Sequence, residues 1–247
     1  ALSDGRARYR NRWIRSRGMA AEQAAGRSLY GGMANASFPG PDLVGDAGPV
    51  KNVANTHVVR HAGEILCLWE AGPPTVLDAD LSTIGTTDFG VGLHGPFTAH
   101  PMVDLDPGQM FAFGYSAIPP YLRYHVIDAD GTLTRTVDID LPVPVMMHDF
   151  AITEHHAIFL DAPAVFDLAG FASGGPMISW QPDRGTRLGI MRRDGDGSDL
   201  QWIPLENCYV FHFLNAYEDG ERIVIDACRL PRMDIGLDPA APALPAD

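Results

Sequence analysis

YLRYHVIDADGTLTRTVDID, residues 121–140, decides the fold. Two runs alternate apolar with polar side chains, the period of a half-buried strand. Between them Ala129-Asp130-Gly131 offers a tight turn with a glycine free to take positive φ. The stretch predicts a β-hairpin, and the same texture continues on both sides. ANTHVVR (54–60) and EILCLWE (64–70) flank His61-Ala62-Gly63. QMFAFGYS (109–116), MMHDFAIT (146–153), HAIFLDAP (156–163), TRLGIMRR (186–193), LQWIPL (200–205), NCYVFHFLNAYE (207–218) and ERIVIDACRL (221–230) read as further strands. Short antiparallel strands at this spacing predict an all-β sandwich, barrel or propeller. With no strong linker, residues 1–247 are read as one domain or part of one. Ahead of the strands, GRARYRNRWIRS (5–16) alternates like a half-exposed strand, and residues 18–27 form the one convincing helix. Residues 37–51, rich in Pro, Gly and Asp, read as a loop.

The chain is acidic, with 31 Asp and Glu against 18 Lys and Arg. A net charge of −13 excludes a nucleic-acid partner, which needs a basic surface, and simple adhesion to anionic lipid. The three cysteines show no CxxC spacing, and the simplest reading is a reducing, cytoplasmic compartment. No apolar run has the length of a membrane span. The first residue is Ala1 and the last stretch is a Pro/Ala-rich tail, so both ends are expected to be cut.

Three histidines stand in separate strand-like segments: His100 in FTAHP, His148 in VMMHDF and His212 in YVFHFLNAYE. They are 48 and 64 residues apart, too far for a zinc finger or a helical HExxH site. Apolar neighbours point each one inward. One ligand from each successive group of strands favours a propeller, whose inner strands converge on an axis. Neutral imidazoles suit iron, zinc, copper and nickel alike, so the trio alone does not name a metal.

NTHVVRHAGEILCLWE (55–70), FTAHPMVD (97–104), PYLRYHVIDADG (120–131), PVMMHDFAITEHHAIFLD (144–161), RGTRLGIM (184–191) and FHFLNAYED (211–219) name the family that the chain resembles. Their order is that of the carotenoid cleavage oxygenases, which include apocarotenoid oxygenases, lignostilbene dioxygenases and the retinoid isomerase. The resemblance runs from about Arg6 to about Leu230. It implies a seven-bladed β-propeller, here incomplete, with Fe(2+) on the axis. His100, His148 and His212 match the first three of four iron-binding histidines, and no histidine follows His212. Glu70 matches a glutamate that hydrogen-bonds an iron-bound imidazole, with His148 rather than His100 as its partner.

The implied activity is insertion of O2 across a C=C bond of a conjugated apolar small molecule, giving two carbonyl products. No NADH, flavin or 2-oxoglutarate is implied. In the stilbene-cleaving branch a lysine stands before that glutamate; here Trp69 does, and its apolar indole tilts the expectation toward a carotenoid or apocarotenoid. Stilbenes remain the alternative substrates, and a noncatalytic propeller binding an apolar ligand the alternative role. Peripheral membrane contact to reach substrate is left open. On this reading the isolated chain is a weak or inactive enzyme.

The other histidines carry plainer expectations. His61, His155 and His156 sit beside turns and are expected in solvent; His57 and His125 are core or surface positions, and His94 carries no site expectation. RRDGDGSD (192–199) lacks the sixth-position glycine and the closing glutamate of a calcium loop, so a solvated turn is expected. Asp149, beside His148, alternates to the opposite strand face and is not expected to share its metal. VFDLAGFASGGPM (165–177) is expected to be a buried connection.

Overall fold

The computed structural model describes residues 2–3, 5–32, 37–90 and 92–234. The architecture is all-β, a partial propeller. The first sheet pairs His57–His61, Glu64–Leu68, Thr75–Leu77 and Thr83–Thr86 in chain order. The second pairs Met102–Val103, Met110–Tyr115, Leu122–Ile127 and Leu133–Ile139, again in chain order. The third joins Ala151–Ile152, His156–Asp161, Thr186–Arg192 and Gln201–Leu205. A hairpin of Tyr209–Asp219 and Arg222–Leu230 follows. Within each sheet every strand pairs only with its neighbours in that order. Such meanders are propeller blades, whereas a sandwich would need strands that cross between sheets. The Tyr121–Asp140 hairpin lies in the second sheet, with Gly131 at φ 87° in its turn.

Strand Met110–Tyr115 of the second sheet is dry on both faces, which explains why QMFAFGYS reads as a continuous apolar run. Alternation assigns its side chains to two different cores. Met110 and Ala112 join Leu66, Leu68, Val76, Phe89 and Phe97 from the first-sheet side. Phe111, Phe113 and Tyr115 join Phe150, Phe159, Val165 and Tyr209 from the third-sheet side. The cross-strand pairs Phe111–Val126, Phe113–Tyr124 and Tyr115–Leu122 keep the register, because a one-residue slip would exchange the two cores.

Several expectations change. Residues 8–16 form no strand: among the described residues only Arg6–Ala7 pairs, with Leu2–Ser3. Without a ladder partner the segment lies on the first sheet through the Arg15 amide, which donates to Thr83 Oγ1 at 2.9 Å, and Trp13 stays exposed. The expected helix is Arg17–Ala25, ended by Gly26 in the left-handed conformation. The expected loop at 37–51 holds a short helix, Pro41–Val44, because proline at its first position presets φ. Residues 165–177 are partly exposed, not buried: Ala164–Phe166 pairs with Ile178–Trp180 around a helix, Leu168–Ala172, capped by the Asp167 side chain. The Pro/Ala-rich tail lies outside the described residues.

His61 is buried rather than solvated, because its Nε2–H donates to the Asp128 carbonyl of the second sheet at 2.8 Å. His156 is half-buried, with Nδ1 3.0 Å from Glu218. Glu218 also accepts from the Thr153 hydroxyl and the His155 amide, joining the third sheet to the last hairpin. The Thr153 hydrogen bond above all, then His156 and the His155 amide, outweigh burial and hold its carboxyl down at about 2, from 4.5.

Two outcomes follow. Phe113→Ala empties a fully buried ring position and should cost about 3–5 kcal/mol in urea unfolding, whereas Ile84→Ser, on an exposed face, should change stability by less than about 0.5 kcal/mol. A carboxyl depressed on folding adds stability above its unfolded value and loses it as pH falls. The chain should therefore weaken between pH 4.5 and about 2, and Glu218→Gln should flatten that part of the stability–pH curve.

Candidate metal centre

Each of the three histidines arrives where the chain enters a new structural unit. His100 precedes the first strand of the second sheet, His148 precedes that of the third, and His212 lies in the first strand of the last hairpin. Only His212 is in a strand; residues 98–101 and 146–150 are irregular. The entry points share one end of the blades, so residues far apart in sequence converge. The candidate ligand nitrogens lie within 4.8 Å of one another. The ring centroids form a near-equilateral triangle, with sides of 4.8 Å, 4.8 Å and 4.9 Å.

His148 is the most firmly held. Its Nδ1 stands 3.1 Å from both carboxylate oxygens of Glu70, which follows the strand Glu64–Leu68. A carboxylate only accepts, so Nδ1 carries the proton and Nε2 is bare toward the cluster. His100 Nε2 lies 3.2 Å from that Nε2. Behind Glu70, the Tyr115 hydroxyl donates to Oε2 at 2.9 Å. Burial and then the Glu70 charge push the Tyr115 phenol well up, which keeps it a donor. Phe211 packs edge-on against His148 with ring centroids 5.5 Å apart.

His100 is positioned through its backbone. The Thr98 amide donates to the Phe113 carbonyl at 2.6 Å, and Thr98 Oγ1 accepts from the His100 amide at 2.9 Å. The His57 Nδ1–H donates to the Ala99 carbonyl at 3.0 Å. Gly114 completes the cradle, because a methyl group there would sit 2.0 Å from the Pro96 carbonyl oxygen. Burial first, then the neighbouring His148 and His212, lower His100 to about 4, so its imidazole is neutral at pH 7.

His212 is the most exposed of the three, and its Nδ1 lies 3.7 Å from Asp149 Oδ2. Asp149 is buried and accepts from the amides of Phe150 (2.9 Å) and Phe213 (3.0 Å). Strand alternation does not place it, because residues 146–150 are not a strand; its carboxylate lies behind His212 and outside the cluster. Trp69 is half-buried, its ring lying where a methyl group on Gly72 would be 3.3 Å away. His125 is buried, with Nδ1 3.0 Å from Thr136 Oγ1 and Nε2 unpaired among the described residues.

Residues 1–244 match the family model described as RPE65, retinal pigment epithelial membrane protein. The chain belongs to this family of carotenoid cleavage oxygenases. A curated relative in the family, the carotenoid 9,10(9',10')-cleavage dioxygenase of Crocus sativus, is 42% identical over 189 residues, 74% of this chain and 35% of that protein. Among solved structures of the carotenoid cleavage oxygenases, the lignostilbene dioxygenase of Pseudomonas brassicacearum is 31% identical with a TM-score of 0.77, covering 87% of this chain and 45% of that one. A cobalt-substituted Synechocystis enzyme is 29% identical with a TM-score of 0.71, covering 90% and 49%. The chain thus spans between a third and a half of these carotenoid oxygenase relatives.

Tyr115, Gly114, His57 and Asp149 carry parts of this geometry that the sequence reading assigned to none of them. The signals were faint. Tyr115 belongs to the odd-numbered apolar set of its strand, and Asp149 adjoins His148.

Glu70→Ala should weaken Co(II) binding about 10–100-fold in a visible-absorption titration, with the apo fold retained. Gly114→Ala should weaken it too, by displacing the Pro96–His100 segment.

Proposed function

We propose that the chain is part of a non-haem iron(II) oxygenase that cleaves a conjugated C=C bond of a carotenoid or apocarotenoid into two carbonyl products. The observation that carries this reading is the triangle of imidazoles, with Glu70 facing Nδ1 of His148. The donor set fits the metal: neutral nitrogen ligands with no carboxylate among them, one already in the required tautomer. His100, His148 and His212 would hold the iron, which when bound supplies O2 activation, while the alkene supplies the electrons. Glu70 fixes the tautomer of His148, and Tyr115 holds Glu70 in place. The cobalt-substituted relative supports a transition metal in this family.

The substrate class rests on two supports: the likeness to a 9,10-cleavage dioxygenase and the apolar face of Trp69 beside Glu70. The likeness to a lignostilbene dioxygenase favours a second reading, cleavage of a stilbene. All three cysteines are free, which fits a cytoplasmic setting, and among the described residues no helix is long and apolar enough to cross a membrane.

The test is iron content and O2-dependent cleavage at the protein's full native length, against an apocarotenal and a hydroxystilbene. One iron per chain with aldehyde products from the apocarotenal is expected, falling at least about 100-fold in His148→Ala. Cleavage of the hydroxystilbene alone would select the second reading. A bound polyene with neither iron nor products would overturn both.

A further inference from the structure

We propose that His125 is an acid-sensitive prop beneath the segment that carries His100: on gaining a proton it displaces residues 94–97 from the second sheet to reach water. The proposal concerns what supports the histidine cluster, not its ligands. It is tested without metal, so its failure leaves the metal-centre reading intact.

His125 lies in the strand Leu122–Ile127 and is 1% exposed. Its Nδ1 is 3.0 Å from Thr136 Oγ1, and whichever of the two gives the proton, Nε2 is left without a partner among the described residues. A buried polar atom with no partner destabilises the fold, so its presence calls for a reason. Nε2 faces the point where Gly114 and Pro96 cross. A methyl group on Gly114 would lie 3.8 Å from Nε2 and 2.0 Å from the Pro96 carbonyl oxygen. Phe97 stacks on the imidazole with ring centroids 6.4 Å apart. Pro96 and Phe97 therefore roof the ring, shortly ahead of His100.

The roof is held at its edges. The Phe97 amide donates to the Gly72 carbonyl at 3.2 Å, the Thr98 amide to the Phe113 carbonyl at 2.6 Å, and Arg123 Nη1 to the His94 carbonyl at 2.9 Å. The charged groups around His125 are Arg123 on its own strand and Asp138 on the strand Leu133–Ile139, and Arg123 Nε donates to Asp138 at 2.9 Å. The strand Met110–Tyr115 brings Ala112 and Gly114, which carry no charge. Asp88 and His94, the titratable side chains leading into the roof, are exposed.

A neutral imidazole tolerates this packing. Burial first, then the Arg123 charge, outweigh Asp138 and bring His125 down from 6.5 to about 4. A charged ring has to be hydrated. On two sides it is enclosed by strands joined in continuous ladders, whereas the roof is held by a few single bonds, so the roof opens first. The displaced state takes up its proton near 6.5 and the packed state only near 4, so acid favours displacement throughout that window.

The test uses the iron-free protein at its full native length. Exchange of the His125 C2 hydrogen against pH, followed by mass spectrometry, reads the titration of the imidazole itself, and exchange of backbone amides reads the roof. Between pH 7 and pH 5, after correction for the intrinsic rate, the amides of Phe97 and Thr98 should open about 20-fold more often. The Phe159 amide, in the third sheet, should not change. The rise should be absent in His125→Gln, which keeps His100 and Arg123 but takes up no proton; His125→Phe serves if that variant does not fold.

A rise of the same size in the variant would assign the effect to other groups, the histidine cluster among them, and overturn the proposal. An equal rise at Phe159 would mean loosening of the whole fold and overturn it too. So would a His125 that titrates near 6.5 while Phe97 and Thr98 stay protected.

Discussion

Burial of the strand Met110–Tyr115 on both faces is the constraint from which the rest of the structure follows. An antiparallel strand normally keeps one face wet, yet Met110–Tyr115 has no wet face at all. Its even-numbered side chains complete one core and its odd-numbered ones another, so the neighbouring sheets are locked to it from opposite sides. The same strand positions the candidate metal centre. Phe113 gives its ring to the core and its carbonyl to Thr98, Gly114 admits the Pro96 carbonyl, and Tyr115 braces Glu70.

The chemistry of the centre depends on a second constraint, which nitrogen of each imidazole is bare. Three rings within 5 Å of one another could hold their protons in several arrangements. Glu70 removes that freedom for His148, and Asp149 faces the corresponding nitrogen of His212. Burial, with the two neighbouring rings, keeps His100 uncharged. Neutral rings with lone pairs turned inward are what a transition metal requires. The irregular backbone at His100 and His148 serves this end, since a regular ladder would fix side-chain direction by alternation alone.

Much of this was legible in the sequence, and what was not failed for identifiable reasons. Period-2 runs and glycine turns gave the meanders, and 121–140 marks its own hairpin. The three histidines are readable as a set, and Glu70 through the family pattern. Alternation misled where no ladder exists: it was carried through residues 5–16, which among the described residues pair only at Arg6–Ala7, and through 145–150, where residues 146–150 form no strand and amide hydrogen bonds, not alternation, place Asp149. His61 beside a turn looked solvated because the Asp128 carbonyl that buries it lies in another sheet. Tyr115 and Gly114 act through backbone approach and long-range contact, neither of which leaves a local pattern.

The spacing of the histidines also has a meaning for how the protein comes into being. Each ligand is delivered by a different unit, in the order of synthesis, and nothing local joins them. A growing chain on the ribosome holds first one imidazole, then two, and neither stage encloses an ion. These three imidazoles come together only once the hairpin of Tyr209–Asp219 and Arg222–Leu230 docks, because long-range contacts are rewarded only after the intervening loops are closed. Up to that point the chain brings at most two of the three imidazoles together, so the assembly of the cluster is set by topology and by no local segment.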